Sequence, residues 1–301
     1  MDLHYWNNYY KSHRHNATNS LFSVFVCENY LKPHARLLEL GCGNGRDSVY
    51  FAKSAIHTTA IDQVQSEIDY LNTHFGSESC TFVCGDFSQL SHLDSLTPPY
   101  DCIYSRFSLH SITHAQQSEL FAQLPHYLSL GGILAIETRG VRNSLYQKGE
   151  RVRGENNAFI YESHYRRFVA LEDLLEDIRA INTESSTIPN AKPPTKPHTE
   201  STPDSQAYLI ESSTHPKAFE ILYAQESRGF APFTQGKRYE DDYFIRVIAR
   251  FRDSLGGGVN RYIIIVYFSP KKPHTNHHPC HPRTHTRAVF VSARSIDKEA
   301  V

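Results

Sequence analysis

From Arg36 onward, short apolar runs alternate with amphipathic stretches, a pattern that predicts a mostly parallel sheet covered by helices. The run 36–40 (RLLEL) predicts a first strand and 47–55 a helix behind it. Residues 57–61 and 66–74 repeat that strand and helix, and 81–84 and 100–104 read as the third and fourth strands. Over 119–128, Leu120, Phe121, Leu124, Tyr127 and Leu128 recur at helical spacing, with Pro125 expected to split the helix. Gly131 and Gly132 predict a turn into a fifth strand, 133–137. After a helix over 171–181, the runs 219–224 and 243–250 complete seven strands as an antiparallel pair at the sheet edge. The expected class is α/β, doubly wound and seven-stranded. The β-prone run 260–268 (NRYIIIVYF) follows the last expected strand and has no place in it.

Composition then divides the chain. Between Thr183 and Ser205, fourteen of 23 residues are Ser, Thr or Pro and only Ile188 and Ala191 are apolar, too little to offset the entropy of ordering. This predicts one domain over 1–268, with a flexible Ser/Thr/Pro-rich insertion at 182–215, and a disordered His/Pro-rich tail over 269–301. The tail's histidines and Cys280 lack the spacing of a closed zinc site, so no metal is expected. A net charge of -1, from 31 Lys+Arg against 32 Asp+Glu, argues against a nucleic-acid partner. No apolar run reaches 18 residues and the N-terminus is polar and aromatic, so neither a membrane partner nor export is expected, and the chain is placed in the cytoplasm. Six cysteines are too few for a disulfide scaffold.

The sharpest chemical signal is Glu39-Leu40-Gly41-Cys42-Gly43-Asn44-Gly45, where the first strand turns into the first helix. Glycines there admit positive φ and let backbone amides approach a ligand. Asp62 ends the second strand 21 residues after Gly41, where a carboxylate can accept from both hydroxyls of a ribose; Gln63 adjoins it. Asp86 ends the third strand, placed to meet an adenine amino group with Phe87 covering the ring. The spacing is G-x-G-x-G rather than the G-x-G-x-x-G of dinucleotide sites, and Glu39 would repel a pyrophosphate while suiting a ligand with an amino group and a sulfonium.

At these residues the chain resembles the class I S-adenosylmethionine-dependent methyltransferases. LLELGCGNGRDS, the acidic end of AIDQ, GDF, YDCIYSRFSLHSI and GGILAIE recur in that order over about 37–137. The resemblance implies their Rossmann-like fold, with S-adenosylmethionine as cofactor. Glu39 and the Gly41–Gly45 backbone would hold its methionine part, Asp62 its ribose and Asp86 its adenine, with residues 104–107, Ser105 among them, facing the methyl group.

Seven Lys and Arg against three acids between Arg139 and Arg167 point to an anionic small-molecule acceptor, since forked guanidinium groups suit phosphate or carboxylate. Arg139, Arg142, Tyr165, Arg166 and Arg167, with Tyr10 from the aromatic N-terminus, are the acceptor candidates. Tyr5, Trp6 and Tyr9 are expected to share in a two-part cover over the cofactor. His110 is the leading candidate base, His164 the second, and Arg106 joins the catalytic set. The segments ETRGVRNSLYQKGE, FIYESHYRRF, ESRGFAPF and DYFIRVIAR resemble bacterial methyltransferases of surface-polysaccharide assembly, in particular those of capsular O-methyl phosphoramidate. More distantly the chain is similar to tellurite-resistance-type methyltransferases. The resemblance implies O-methylation of a phosphoramidate or a sugar or nucleotide phosphate. The rivals are methylation of a metalloid or other small molecule, a non-catalytic cofactor-binding module and, more remotely, a dinucleotide oxidoreductase.

Overall fold

The computed structural model describes residues 3–13, 18–181, 217–228 and 242–253. The tail over 269–301, the run 260–268 and the whole of the expected insertion at 182–215 lie outside them, so those expectations stand where the sequence left them.

The main sheet is built from β1 (Arg36–Leu40), β2 (His57–Asp62), β3 (Cys80–Cys84), β4 (Tyr100–Arg106), β5 (Leu128–Arg139), β9 (Lys217–Ser227) and β10 (Phe244–Asp253). Their order is β3-β2-β1-β4-β5-β10-β9; the first five run parallel, and β10 pairs antiparallel with both β5 and β9. This is the seven-stranded, mostly parallel α/β sheet expected, and the reversal of strand order between β1 and β4 makes the crevice at which such sheets bind ligands. Alternate residues of the central strands feed two cores. Leu38, Leu40, Ile103, Leu134 and Ile136 pack with α5 (His114–Tyr127) and α6 (Leu171–Arg179). Leu37, Cys102, Tyr104, Ile133 and Ala135 pack with α2 (Leu21–Tyr30) and α3 (Arg46–Lys53). Burial on both faces is why these strands read as near-continuous apolar runs.

Two local expectations are corrected, and elements appear where none was expected. The helix after β4 is one piece starting at His114, capped by a Thr113–Gln116 capping box; Pro125 lies in its last turn, where one missing N–H does not break the ladder. β5 starts at Leu128 and runs through Gly131 (φ +85), an irregularity within the strand rather than a turn before it. Two helices precede β1, α1 (Leu3–His13) and α2, and the basic stretch after β5 forms a small antiparallel sheet of β6 (Glu150–Arg151), β7 (Ala158–Tyr161) and β8 (His164–Arg167). α4 (Gln65–Phe75) completes the elements around the site.

Candidate active site

β1 ends in a turn that no chain of L-residues adopts easily: Gly41, Gly43 and Gly45 all have positive φ, +74, +56 and +72. The amides of Gly41 and Cys42 both donate to the Ile61 carbonyl at 2.9 Å, tying the turn to the end of β2. A Cβ on Gly41 would lie 2.7 Å from the Ser108 Cβ, and one on Gly43 would lie 3.1 Å from the Tyr10 hydroxyl. Ser108 and Tyr10 thus press on the turn where a Cβ would sit, so only glycine fits, and α3 begins at once behind Gly45, its first amides facing the turn.

Two buried acids flank the turn. Glu39 accepts from the Ser48 hydroxyl, and burial, then the nearby Asp47, push its carboxyl up to about 8. A cation in the cavity would favour its ionised form, so it fits a ligand bearing an amino group and a sulfonium. Asp62 accepts from Gly43 N at 3.0 Å and Val64 N at 3.1 Å; burial raises its pKa despite those bonds. Each carboxylate oxygen has a second lone pair for a hydroxyl donor, as a ribose requires. Glycine cradle, buried Glu39 and Asp62 together fit S-adenosylmethionine.

A cavity of about 290 Å³ opens over the turn. Its near wall is Glu39, Gly41, Cys42, Gly43, Asn44, Arg46 and Asp47; its far wall is Arg106, Phe107, His110, Arg139, His164 and Arg166; Tyr5, Trp6, Tyr9 and Tyr10 of α1 cover it. The two parts of the cover meet where the His164 ring stacks on Tyr5, 4.4 Å between centroids, and meets Trp6 edge-on at 4.8 Å. Tyr10 is buried against Gly43, and its phenol is pushed well up by burial and then by Asp62. It lines the same cavity as Arg139 and Arg166 but from the side of the glycine turn.

At the far wall, Arg139 donates to Asn143 Oδ1 at 3.2 Å, and its Nε is buried with no hydrogen-bond partner among the described residues. Burial, then the Arg166 charge, lower its pKa to about 10. Arg166 donates to the carbonyls of Tyr161 at 2.9 Å and His164 at 3.5 Å. His110 is buried 6.3 Å from the His164 ring, its Nδ1 without a partner among the described residues. Burial foremost, then Arg139, His164, Arg166 and Arg167, holds its pKa well below 6.5. The imidazole is therefore neutral with a free Nδ1, the form a base requires, while burial and the guanidinium charges weaken its basicity until a bound anion offsets them.

Other sequence candidates are placed elsewhere. Arg167 turns away from the cavity and donates to Ile112 O and Gln117 Oε1, binding β8 to α5. Arg142 lies over the Tyr243 ring at 4.2 Å, and Tyr165, its buried hydroxyl unpartnered among the described residues, does not line the cavity. Adjacent residues of a strand point to opposite faces, so only one of Tyr165 and Arg166 can reach it. Phe87 is a core residue under Gly41 rather than an open cover. Asp86 accepts from the Ser88 amide and hydroxyl, and Ser105 shares a hydrogen bond with Ser108 at 2.6 Å. Neither they nor Gln63, Gly45 or Asp62 lines the cavity, Asp62 lying buried beneath Gly43. Sequence reasoning missed Asp47, which accepts from Ser20 N at 2.7 Å and from the Ser20 and Tyr104 hydroxyls, both at 2.8 Å, locking α2 to the head of α3. It also missed Arg46; the signal for both was their place directly after Gly45.

Among the described residues no helix is long and apolar enough to cross a membrane, and no three His, Cys, Asp or Glu side chains are grouped to hold a metal. Residues 37–132 match the family described as "Methyltransferase domain". Phosphoethanolamine N-methyltransferase 1 of Zea mays is 28% identical over 133 residues, which are 43% of this chain and 24% of that protein. The chain thus spans about a quarter of the curated relative it matches. Among solved structures, a TehB-like S-adenosylmethionine-dependent methyltransferase of Corynebacterium glutamicum aligns with TM-score 0.50 and 18% identity, over 83% of this chain and 98% of that one. Phosphoethanolamine N-methyltransferase 1 of Haemonchus contortus aligns with TM-score 0.51 and 12% identity, over 87% and 52%. Residues 37–132 thus resemble the core of a methyltransferase domain, and the sheet that carries them has the fold of the class I methyltransferase structures it aligns with.

Proposed function

We propose that this chain methylates an anionic oxygen of a small acceptor, a phosphoramidate or a sugar or nucleotide phosphate of the kind built into surface polysaccharides. The observation that carries it is the gathering of three guanidinium groups on the far wall, Arg106, Arg139 and Arg166, while the glycine turn sets Glu39 and Asp47 against the single cation Arg46. The finer assignment draws on the resemblance of ETRGVRNSLYQKGE and FIYESHYRRF, which contribute Arg139 and Arg166.

Bound at the turn, S-adenosylmethionine would supply the methyl group, its sulfonium becoming a neutral thioether as the acceptor oxygen takes the methyl. Glu39, Asp62 and the glycine amides fix the donor's orientation. Arg139 and Arg166 hold the acceptor's charge, and the α1 aromatics exclude water. Such alignment is worth roughly 7 to 11 kcal/mol for well-oriented reactants. An anionic oxygen has no proton to lose, so His110 takes none in this reading.

A second reading is favoured by the maize and nematode relatives, whose names specify N-methylation of phosphoethanolamine. There the same arginines take the phosphate and His110 takes the amine proton. Labelled-methyl transfer into phosphoramidates, nucleotide sugars, phosphoethanolamine and tellurite separates these. Label is expected in an oxygen of a phosphate-type acceptor; label in the phosphoethanolamine nitrogen supports the second reading. Label in tellurite alone overturns both, and cofactor binding without turnover on any acceptor indicates a non-catalytic binding module.

A further inference from the structure

Buried polar atoms are almost always hydrogen-bonded, and several of the exceptions in this chain meet at one cavity. Trp6 Nε1, His110 Nδ1 and Arg139 Nε are buried with no hydrogen-bond partner among the described residues, and all three residues line the cavity over the glycine turn. They reach it from separate elements: α1, the segment after β4, and the end of β5. Two of the three atoms can only donate. An imidazole Nδ1 takes either role with its tautomer, but an indole N–H and an arginine Nε–H never accept. A ligand that satisfies them must therefore bring at least two acceptor atoms. A tetrahedral oxyanion does so, and it adds the charge that a guanidinium group favours.

Trp6 has no freedom to find an acceptor by turning away. Its ring stacks on Tyr10, 5.5 Å between centroids and 23° between planes, and meets Tyr5, Tyr9 and His164 edge-on at 5.3, 5.6 and 4.8 Å. Contact with four rings fixes where the indole N–H lies. A helix that only kept water out could carry phenylalanine at this position. Tryptophan adds one donor, and leaving a buried donor unpaired costs more than a hydrogen bond returns.

Building on the anionic-acceptor reading above, we propose that Trp6 binds the acceptor, its indole N–H donating to an oxygen of the anionic group beside the Arg139 guanidinium. The α1 cover is then part of the acceptor site as well as a shield from water. Because both groups only donate, they favour ionised oxygens over protonated ones.

Trp6 is the single tryptophan of the chain, so its indole N–H gives one signal in the magnetic resonance spectrum of nitrogen-labelled protein. The test adds inorganic phosphate to protein already loaded with S-adenosylhomocysteine. The indole proton is expected to move downfield and to exchange more slowly with water, following the same affinity that calorimetry gives for phosphate. Trp6→Phe, which keeps a ring in the stack, is expected to weaken phosphate binding by about ten-fold and to leave S-adenosylhomocysteine affinity within about two-fold. Equal loss of both affinities, or unchanged phosphate affinity, makes Trp6 mere packing of the cover and overturns the proposal. So does an indole signal that stays in place while phosphate binds, and the anionic-acceptor reading then stands. Should Trp6→Phe disturb α1, the indole signal of the unmutated protein decides alone. No phosphate binding by the unmutated protein, with S-adenosylhomocysteine still bound, overturns that reading and this inference with it.

Discussion

At the glycine-turn end of the cavity, the lining comes from one short stretch of chain, Glu39 to Asp47, with Asp62 buried behind it and bonded to Gly43 N. At the far end, Arg106 closes β4 and His110 follows it, Arg139 closes β5, His164 and Arg166 sit on β8, and Tyr5 and Trp6 arrive from α1. The first end is made of backbone held by sheet register, so its geometry survives many side-chain changes and fails on a Cβ. The second is made of long side chains from separate elements, so single truncations should weaken it while the fold stands.

The largest expected effect tests the backbone end. Gly41→Ala puts a Cβ 2.7 Å from the Ser108 Cβ at φ +74, and strain of this kind is worth roughly 1 to 3 kcal/mol, enough with the displaced amides to lower S-adenosylhomocysteine affinity by about 100-fold in calorimetry. Asp62→Ala should lose roughly 1.5 to 3 kcal/mol of cofactor binding through its charged hydrogen bonds. An affinity unchanged by either would mean that the cofactor does not lie on this turn.

Next come the side chains of the far wall. Arg139→Ala and Arg166→Ala should each raise the KM of a phosphate-type acceptor by about ten-fold or more, with S-adenosylhomocysteine affinity unmoved. Arg142→Ala should change neither, since its guanidinium lies on Tyr243. A metalloid methyltransferase would keep nearly full activity in all three variants, which would break the comparison at this end.

The same contrast governs what could be read in the sequence. The G-x-G-x-G turn, Glu39 and Asp62 were legible because their spacing follows from strand and helix lengths that the apolar pattern already marks. Arg139 and Arg166 were picked out by charge, but so were Arg142 and Arg167, which differ from them in no local property. What separates them is the face of β8 and the approach of Gln117 and Tyr243, contacts between residues far apart in the chain. The α1 helix and the β6–β8 sheet were missed as elements because their aromatic and basic residues show no clear period, and their order comes from docking, as in the Tyr5–His164 stack. The ion pair of Arg246 with Glu137 likewise depends on β10 entering antiparallel beside β5.

A smaller effect sharpens the acidic end through pH. In the ligand-free protein Glu39 is held up at about 8 from an ordinary 4.5, by burial and then by Asp47. Because the folded state keeps a proton that the unfolded chain has lost, this group's contribution to stability falls as pH rises from 4.5 toward about 8. A ligand carrying an ammonium group prefers the ionised carboxylate, so S-adenosylhomocysteine affinity should rise over the same window, by up to about ten-fold per unit, with release of a proton. Titrations in buffers of different ionisation enthalpy measure that proton. Glu39→Gln should abolish both the slope and the release; a slope that persists would assign the titration elsewhere.

The smallest effect expected is at His110, and it is the one that separates the two acceptor chemistries. Burial and the surrounding arginines keep its imidazole neutral through the physiological range, so the protonation state needed for a base is already present and no activity step should appear near pH 6.5. If the methylated atom is an anionic oxygen, it enters the reaction without a proton, and His110→Gln should lower kcat by less than about ten-fold, through packing against Phe107 and His164 alone. If the atom is an amine nitrogen, the proton must leave, and the same substitution should cost the roughly 100- to 10,000-fold that a positioned base contributes. A large loss confined to kcat, with acceptor KM preserved, would move the assignment from oxygen to nitrogen without disturbing the arginine wall, since both acceptors present the same phosphate to Arg139 and Arg166.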